Sequence, residues 1–149
     1  MRARAFFPAD HAAVENGKVY TNGAFWALLR FPEFPAVLPT MALVAVIEIP
    51  FHAYQADHSI EMRLVDSDGQ PAGFEARGTF RSAPSIDLKY GQAGLAPSVV
   101  PVQGLVLQRP GDYSFTLNVD GTELARYPIT VIQLAGVSIV NFRPGASSE

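Results

Sequence analysis

The chain has 149 residues, 48% of them hydrophobic and 17% charged, with a formal net charge of −3. That is one ordinary domain with material for a core, and it lacks the basic patch on which nucleic-acid binding relies. Cysteine is absent, which excludes disulfides, thiol nucleophiles and thiolate metal sites and fits a reducing, cytoplasmic setting.

The N-terminus, Met1-Arg2-Ala3-Arg4, is positive but is not followed by the apolar stretch of a signal peptide. Arg2 to Phe7 reads as a first strand. Glu15-Asn16-Gly17-Lys18 is a hairpin turn signal, and Val19 and Tyr20 leave it. Thr21-Asn22-Gly23 is expected to break the chain before the apolar run from Ala24 to Leu29. Phe31 to Pro39 reads as a crossover. Prolines at 32, 35 and 39 rule out a helix there, because each lacks a donor and clashes with a preceding carbonyl.

Leu43 to Ile49 is apolar on both parities until Glu48, which predicts a central strand covered on both sides. The run from Met41 to Ile47 has seven apolar residues, far short of the roughly 20 that a membrane-spanning helix needs. No membrane partner is expected. Pro50 to Asp57 is expected to be a loop. His58 to Val65 alternates, with Ile60, Met62 and Leu64 inward and Glu61 and Arg63 outward. Asp66-Ser67-Asp68-Gly69 turns the chain, and Gly73 to Arg81 is a weaker strand. Ala83 to Pro97 is the least regular stretch. Ser98 to Leu107 is a strand in which Pro101 and Gly104 suggest an edge or a bulge.

The clearest signal comes last. Tyr113, Phe115, Leu117 and Val119 share one parity, and Asp120-Gly121 suits a two-residue type I′ turn with positive φ at both positions. The chain returns through Ala125, Tyr127, Ile129 and Val131, again of one parity. Pro128 cannot donate a ladder bond, so this strand should be an edge or a bulge there. Gln133 to Val140 is a candidate final strand. The sum is eight or nine short strands with no long helix. This predicts an all-β, two-sheet antiparallel β-sandwich of the immunoglobulin or fibronectin kind, occupying residues 1–142 as one domain, with 143–149 as a flexible tail.

These signals resemble a family of small bacterial β-sandwich proteins known only as a domain of unknown function. The resemblance is carried by Gly17-Lys18 with Asn22-Gly23, the Phe31 to Pro39 crossover, Leu64-Val65-Asp66 with Asp68-Gly69, Gly111-Asp112-Tyr113, and Val119-Asp120-Gly121. It implies a sandwich and a bacterial source. It implies no catalytic residue.

Three constellations carry chemistry. His52, Tyr54, Asp57, His58 and Glu61 place two imidazoles and two carboxylates within ten residues, enough for a metal or for proton transfer. The plainer reading is a polar loop with a solvated histidine at each end. Asp66 and Asp68, with Asp87 or Asp112, offer hard oxygen ligands for calcium, although Arg77 stands where an EF-hand loop needs its closing glutamate. Asp and Gly are also what a tight turn requires. Phe25, Trp26, Phe31 and Phe34 are aromatics able to stack on a sugar or seat a partner, with Trp26 foremost, or else to plug one end of the core. No nucleophile elbow and no phosphate loop is present, and no cofactor is implied.

The preferred reading is a non-enzymatic binding or assembly module with a protein partner or itself. A homodimer would form through an edge strand or through the aromatic region. The alternative is a small calcium- or zinc-dependent hydrolase, or a calcium-dependent carbohydrate-binding module, using His52, Asp57 and His58 or the Asp66/Asp68 turn.

Overall fold

The computed structural model describes residues 1–84 and 86–135. Nine strands fill this span: β1 (Arg2–Glu15), β2 (Lys18–Ala24), β3 (Leu28–Phe31), β4 (Ala36–Ile49), β5 (Asp57–Asp66), β6 (Pro71–Arg81), β7 (Gly94–Leu107), β8 (Gly111–Val119) and β9 (Thr122–Gln133). They form a four-stranded sheet in the order β2-β1-β4-β7 and a five-stranded sheet in the order β3-β9-β8-β5-β6. The two-sheet all-β architecture is therefore as the periodicity predicts. The strand order differs from the ABED and CFG partition of an immunoglobulin constant domain. One pairing also departs from the antiparallel expectation, since β3 runs parallel to β9. That is possible because β3 does not follow its neighbour by a tight turn. It arrives from the other sheet through Phe25–Ala27.

The alternation signals convert directly into burial. Leu43 and Ile47 on β4, Met62 and Leu64 on β5, and Phe115 and Leu117 on β8 are each no more than 1% exposed. Burying such a side chain is worth roughly 1.5–3 kcal/mol. The β8–β9 hairpin closes as expected, with Val119 opposite Thr122 and φ values of 50° at Asp120 and 79° at Gly121. Asn16 and Gly17 close β1–β2 in the same way, at φ 51° and 71°. Pro128 lies just before Thr130, the first residue of β9 that pairs with β3, so its missing donor faces an open edge.

Several boundaries differ from the sequence reading. The chain does not break at Thr21–Gly23. β2 continues to Ala24, because Gly23 (φ 61°) lets the Asp10 carboxylate lie where any side chain would stand. The crossover is shorter than expected, and β4 already begins at Ala36 with Pro39 inside it. β6 and β7 begin earlier than expected, at Pro71 and Gly94. Phe51–Ala53 forms one turn of 3-10 helix instead of irregular loop.

β4 and β7 share a corner. The residues of β4 that join the core between the sheets are Leu38 before Pro39 and Met41, Leu43, Ala45, Ile47 and Ile49 after it. The parity reverses. On β7 it reverses between Leu105 and Val102, at Gly104 with φ 65°. A proline and a left-handed glycine thus bend both strands together, as sandwich corners require. β7 is the edge of its sheet, which agrees with its Pro101 and Gly104. Of the candidate strand over Gln133–Val140, Gln133 ends β9. Leu134 and Ala135 are not strand, and residues 136–140, the domain limit at 142 and the 143–149 tail lie outside the described residues.

Candidate functional site

The four-stranded sheet has two faces, and only one meets the other sheet. Leu43, Ala45 and Ile47 face the core. The intervening residues of β4 point outward, and the register shows what joins them. Ala42 pairs with Ala9 and Pro101, Val44 with Phe7 and Val99, and Val46 with Ala5 and Pro97. Ala9 in turn pairs with Ala24 on β2. On this face Phe7, Ala9, Ala42 and Val44 are buried, while Ala5, Val46, Pro97 and Val99 are half-buried and Pro101 is exposed. The face is an apolar floor. Charge enters at one end, where Glu48 accepts from Arg2 at 2.5 Å and Arg4 at 3.3 Å. The Arg2 guanidinium holds that carboxyl below the usual range.

One aromatic stands up from the floor. Phe25 is 65% exposed, and its ring stacks on that of Phe7 with centroids 4.2 Å apart and planes 23° from parallel. Its backbone sits at φ 65°, a left-handed conformation that a bulky residue adopts only at a cost of order 1–3 kcal/mol. The main chain is pinned on either side. Phe25 N donates to Pro8 O at 2.9 Å, and Thr130 N donates to Ala27 O at 2.8 Å. Phe25–Ala27 therefore ties the two sheets together and holds Phe25 outward.

The other aromatic candidates turn inward. Trp26 packs edge-on to Phe115, with centroids 6.4 Å apart, and its carbonyl accepts from Tyr127 Oη at 3.1 Å. Its indole nitrogen is buried without a partner among the described residues. Phe31 and Phe34 meet edge-to-face at 6.0 Å and pack against the core. Phe7, the partner of Phe25, lies at the end of the predicted first strand. No local signal distinguishes it.

The candidate metal ligands are dispersed. His52 is exposed on the 3-10 turn. Asp57 accepts from Arg81 at 2.8 Å. Asp66 Oδ1 accepts the amides of Asp68 and Gln70, each at 2.9 Å, which is the backbone role of a turn aspartate. Asp112 accepts from Thr130 Oγ1 at 3.1 Å. Glu61 bridges Arg63 and Arg77 at 2.8 Å each. Among the described residues, no three His, Cys, Asp or Glu side chains are grouped to hold a metal ion.

His58 is not the solvated loop end of the plainer reading. It is 8% exposed. Nδ1 lies 2.7 Å from Asp120 Oδ2, and Nε2 lies 2.7 Å from the Ala53 carbonyl oxygen. Both partners are pure acceptors, so both ring nitrogens must carry hydrogen. In that state the ring has no lone pair to offer a metal. The Ala53 carbonyl and then the Asp120 carboxylate raise the imidazole pKa above its ordinary 6.5. The hydrogen bond from His58, followed by that from the Ser59 amide, lowers the Asp120 carboxyl below 3.8.

A family of unknown function, DUF6941, matches residues 4–132. No curated protein matches the chain. Among solved structures, the chain is similar to the alkylpurine DNA glycosylase AlkC of Pseudomonas fluorescens bound to DNA containing an abasic site analog, at 13% identity and a TM-score of 0.35. The match covers 85% of this chain and 30% of that one, so this chain spans less than a third of the glycosylase chain. Among the described residues, no helix is long and apolar enough to cross a membrane.

Proposed function

The chain belongs to the DUF6941 family, which brings no activity with it, and we propose that it is a non-enzymatic assembly module that pairs with a second copy of itself through the outer face of the β2-β1-β4-β7 sheet. The observation that carries this reading is Phe25, an exposed aromatic in a strained backbone, beside a face on which Ala5, Val46 and Val99 are half-buried and Ala9, Ala42 and Val44 are buried. Strain of this kind persists where the surroundings enforce it, and it concentrates at sites of use. A raised ring next to a floor of small residues is self-complementary. A twofold axis sets each Phe25 against the other copy's half-buried Ala5, Val46 and Val99, as an isologous interface requires.

The open edges are poorer candidates than the face. β7 carries Pro97, Pro101 and Gly104. β6 carries Gly73, Gly78, Arg77 and Arg81. The part of β9 beyond β3 carries Pro128, and β2 carries Gly23. Prolines, glycines and charges are the features that keep an edge from pairing. Four strands at about 4.8 Å spacing span about 19 Å. With strands of up to 14 residues, about 46 Å long, a face of that width is of the order of the ~800 Å² per partner of a standard interface. The metal-dependent reading through His52, Asp57, His58, Asp66 and Asp68 has less support, because those side chains bond to other groups or stand apart. The cytoplasm is the proposed setting, supported by the absence of cysteine.

Size-exclusion chromatography with light scattering tests the proposal. The wild type is expected to shift from monomer toward dimer mass with concentration, and Phe25→Asp is expected to abolish the shift. A wild type that stays at monomer mass at the highest soluble concentration refutes it.

A further inference from the structure

We propose that His58 is a proton-operated latch: while its imidazole carries both protons it ties the Phe51–Ala53 turn to the β8–β9 corner, and loss of one proton frees that turn. The inference is independent of self-association. Its geometry joins the turn, five residues before His58, to a corner 62 residues after it. The turn presents the Ala53 carbonyl to Nε2, and the corner presents the Asp120 carboxylate to Nδ1, each at 2.7 Å. Asp120 is fixed in turn. Its Oδ1 accepts the Ser59 amide at 3.0 Å, and its own amide donates to Ser59 O at 3.0 Å.

A neutral imidazole has one N–H. Whichever nitrogen keeps it, the other then aims a lone pair at an oxygen 2.7 Å away. The Asp120 bond is charge-assisted and anchored by Ser59, so it is the one retained. The Ala53 carbonyl is the partner released. The other groups around the ring are the Phe80 ring on β6, centroid 5.4 Å away, and Asp57 on β5, itself paired with Arg81 at 2.8 Å. The two carboxylates favour the charged ring, and Arg81 offsets Asp57.

The turn that is freed covers something. Phe51 lies against Tyr90 with centroids 4.6 Å apart and against Tyr54 at 6.3 Å. The Tyr54 hydroxyl rests on Gly94, the first residue of β7, where a side chain would displace it. Among the described residues that buried hydroxyl has no partner. Release of the turn therefore uncovers the start of β7 and gives Tyr54 access to water.

The test is nitrogen-detected NMR of the His58 ring in the wild type, with amide exchange of Ala53 and Tyr54 followed against pH. The ring is expected to be doubly protonated at pH 6.5 and to titrate above that value, and Asp120→Asn is expected to bring the titration down. After correction for hydroxide catalysis, opening of the turn is expected to rise by up to tenfold per pH unit above 6.5. It levels off past the folded pKa. His58→Gln is expected to flatten that dependence. If that variant does not fold, the wild-type titration decides alone. A ring titrating at or below 6.5, or opening at Ala53 and Tyr54 that does not change with pH, overturns the latch.

Discussion

Phe25 lies flat on Phe7, ring centroids 4.2 Å apart, at a backbone φ of 65°. The stack and the strain oppose each other. An aromatic pair contributes about 0.5–1.5 kcal/mol, while the left-handed backbone costs an amount of the same order. Asn tolerates that conformation. Phe25→Asn is therefore expected to leave monomer stability within about 1 kcal/mol of wild type, since the relieved strain offsets the lost stack. The same substitution is expected to weaken self-association at least tenfold, about 1.4 kcal/mol. Denaturant unfolding and dilution light scattering on the same samples separate the two effects. A large loss of stability with unchanged association contradicts the role given to this ring.

Phe115 is fully buried and touches Trp26 edge-on at 6.4 Å. It is the side chain on which the crossover from one sheet to the other rests. Phe115→Ala is expected to cost about 3–5 kcal/mol, read as a shift in urea midpoint at constant slope. A loss under 1 kcal/mol means the Trp26 wedge does not depend on it.

The corner in β4 and β7 makes a paired prediction. Gly104 has φ 65°, and a Cβ added there meets nothing within 4 Å. Gly104→Ala therefore costs backbone strain alone, roughly 1–2 kcal/mol. Gly78, on edge strand β6, is not in the left-handed region, and a Cβ there meets Ile60 Cγ2 at an ordinary 3.7 Å. Gly78→Ala is expected to be neutral or stabilising by about 0.5 kcal/mol. Equal effects at the two sites contradict the described bend.

Stability should also follow pH in a window set by two groups. His58 is raised above 6.5, so its contribution is complete below 6.5 and is lost as pH rises through the folded value. Asp120 is lowered below 3.8, so its contribution is complete above 3.8 and is lost as pH falls through its folded value. Thermal unfolding from pH 3 to 9 is expected to show a plateau between these limits. Asp120→Ala is expected to lower the plateau and blunt both flanks. Asp120→Asn, which still suits the turn, is expected to lose less.

Where neighbours in sequence determine the outcome, the sequence was readable. The parity of Tyr113 to Val119 and the Asp120-Gly121 turn needed nothing beyond local chemistry. β4 is more instructive. Ala42, Val44 and Val46 are apolar on the parity opposite Leu43 and Ile47, which predicted a strand covered on both sides. Ala42 and Val44 are buried as that reading expects, while Val46 is half-buried. A pattern cannot distinguish a strand buried twice from one buried once and completed by a partner. The His58–Asp120 bond spans 62 residues, so neither member shows the other in advance. Trp26 and Phe25 are adjacent, and the positive φ of Phe25 decides which of them faces out. No propensity predicts that for a phenylalanine. The parallel β3–β9 pairing was likewise hidden, because it depends on where the crossover delivers four residues.

The most direct test of the proposed assembly is methyl NMR through a dilution series. The account predicts concentration-dependent shifts at Ala5, Ala42, Val46 and Val99 on the outer face, with Leu43, Leu64 and Leu117 in the core unmoved. Shifts that are absent at every concentration, or that fall on the β6 and β7 edges instead, would contradict it.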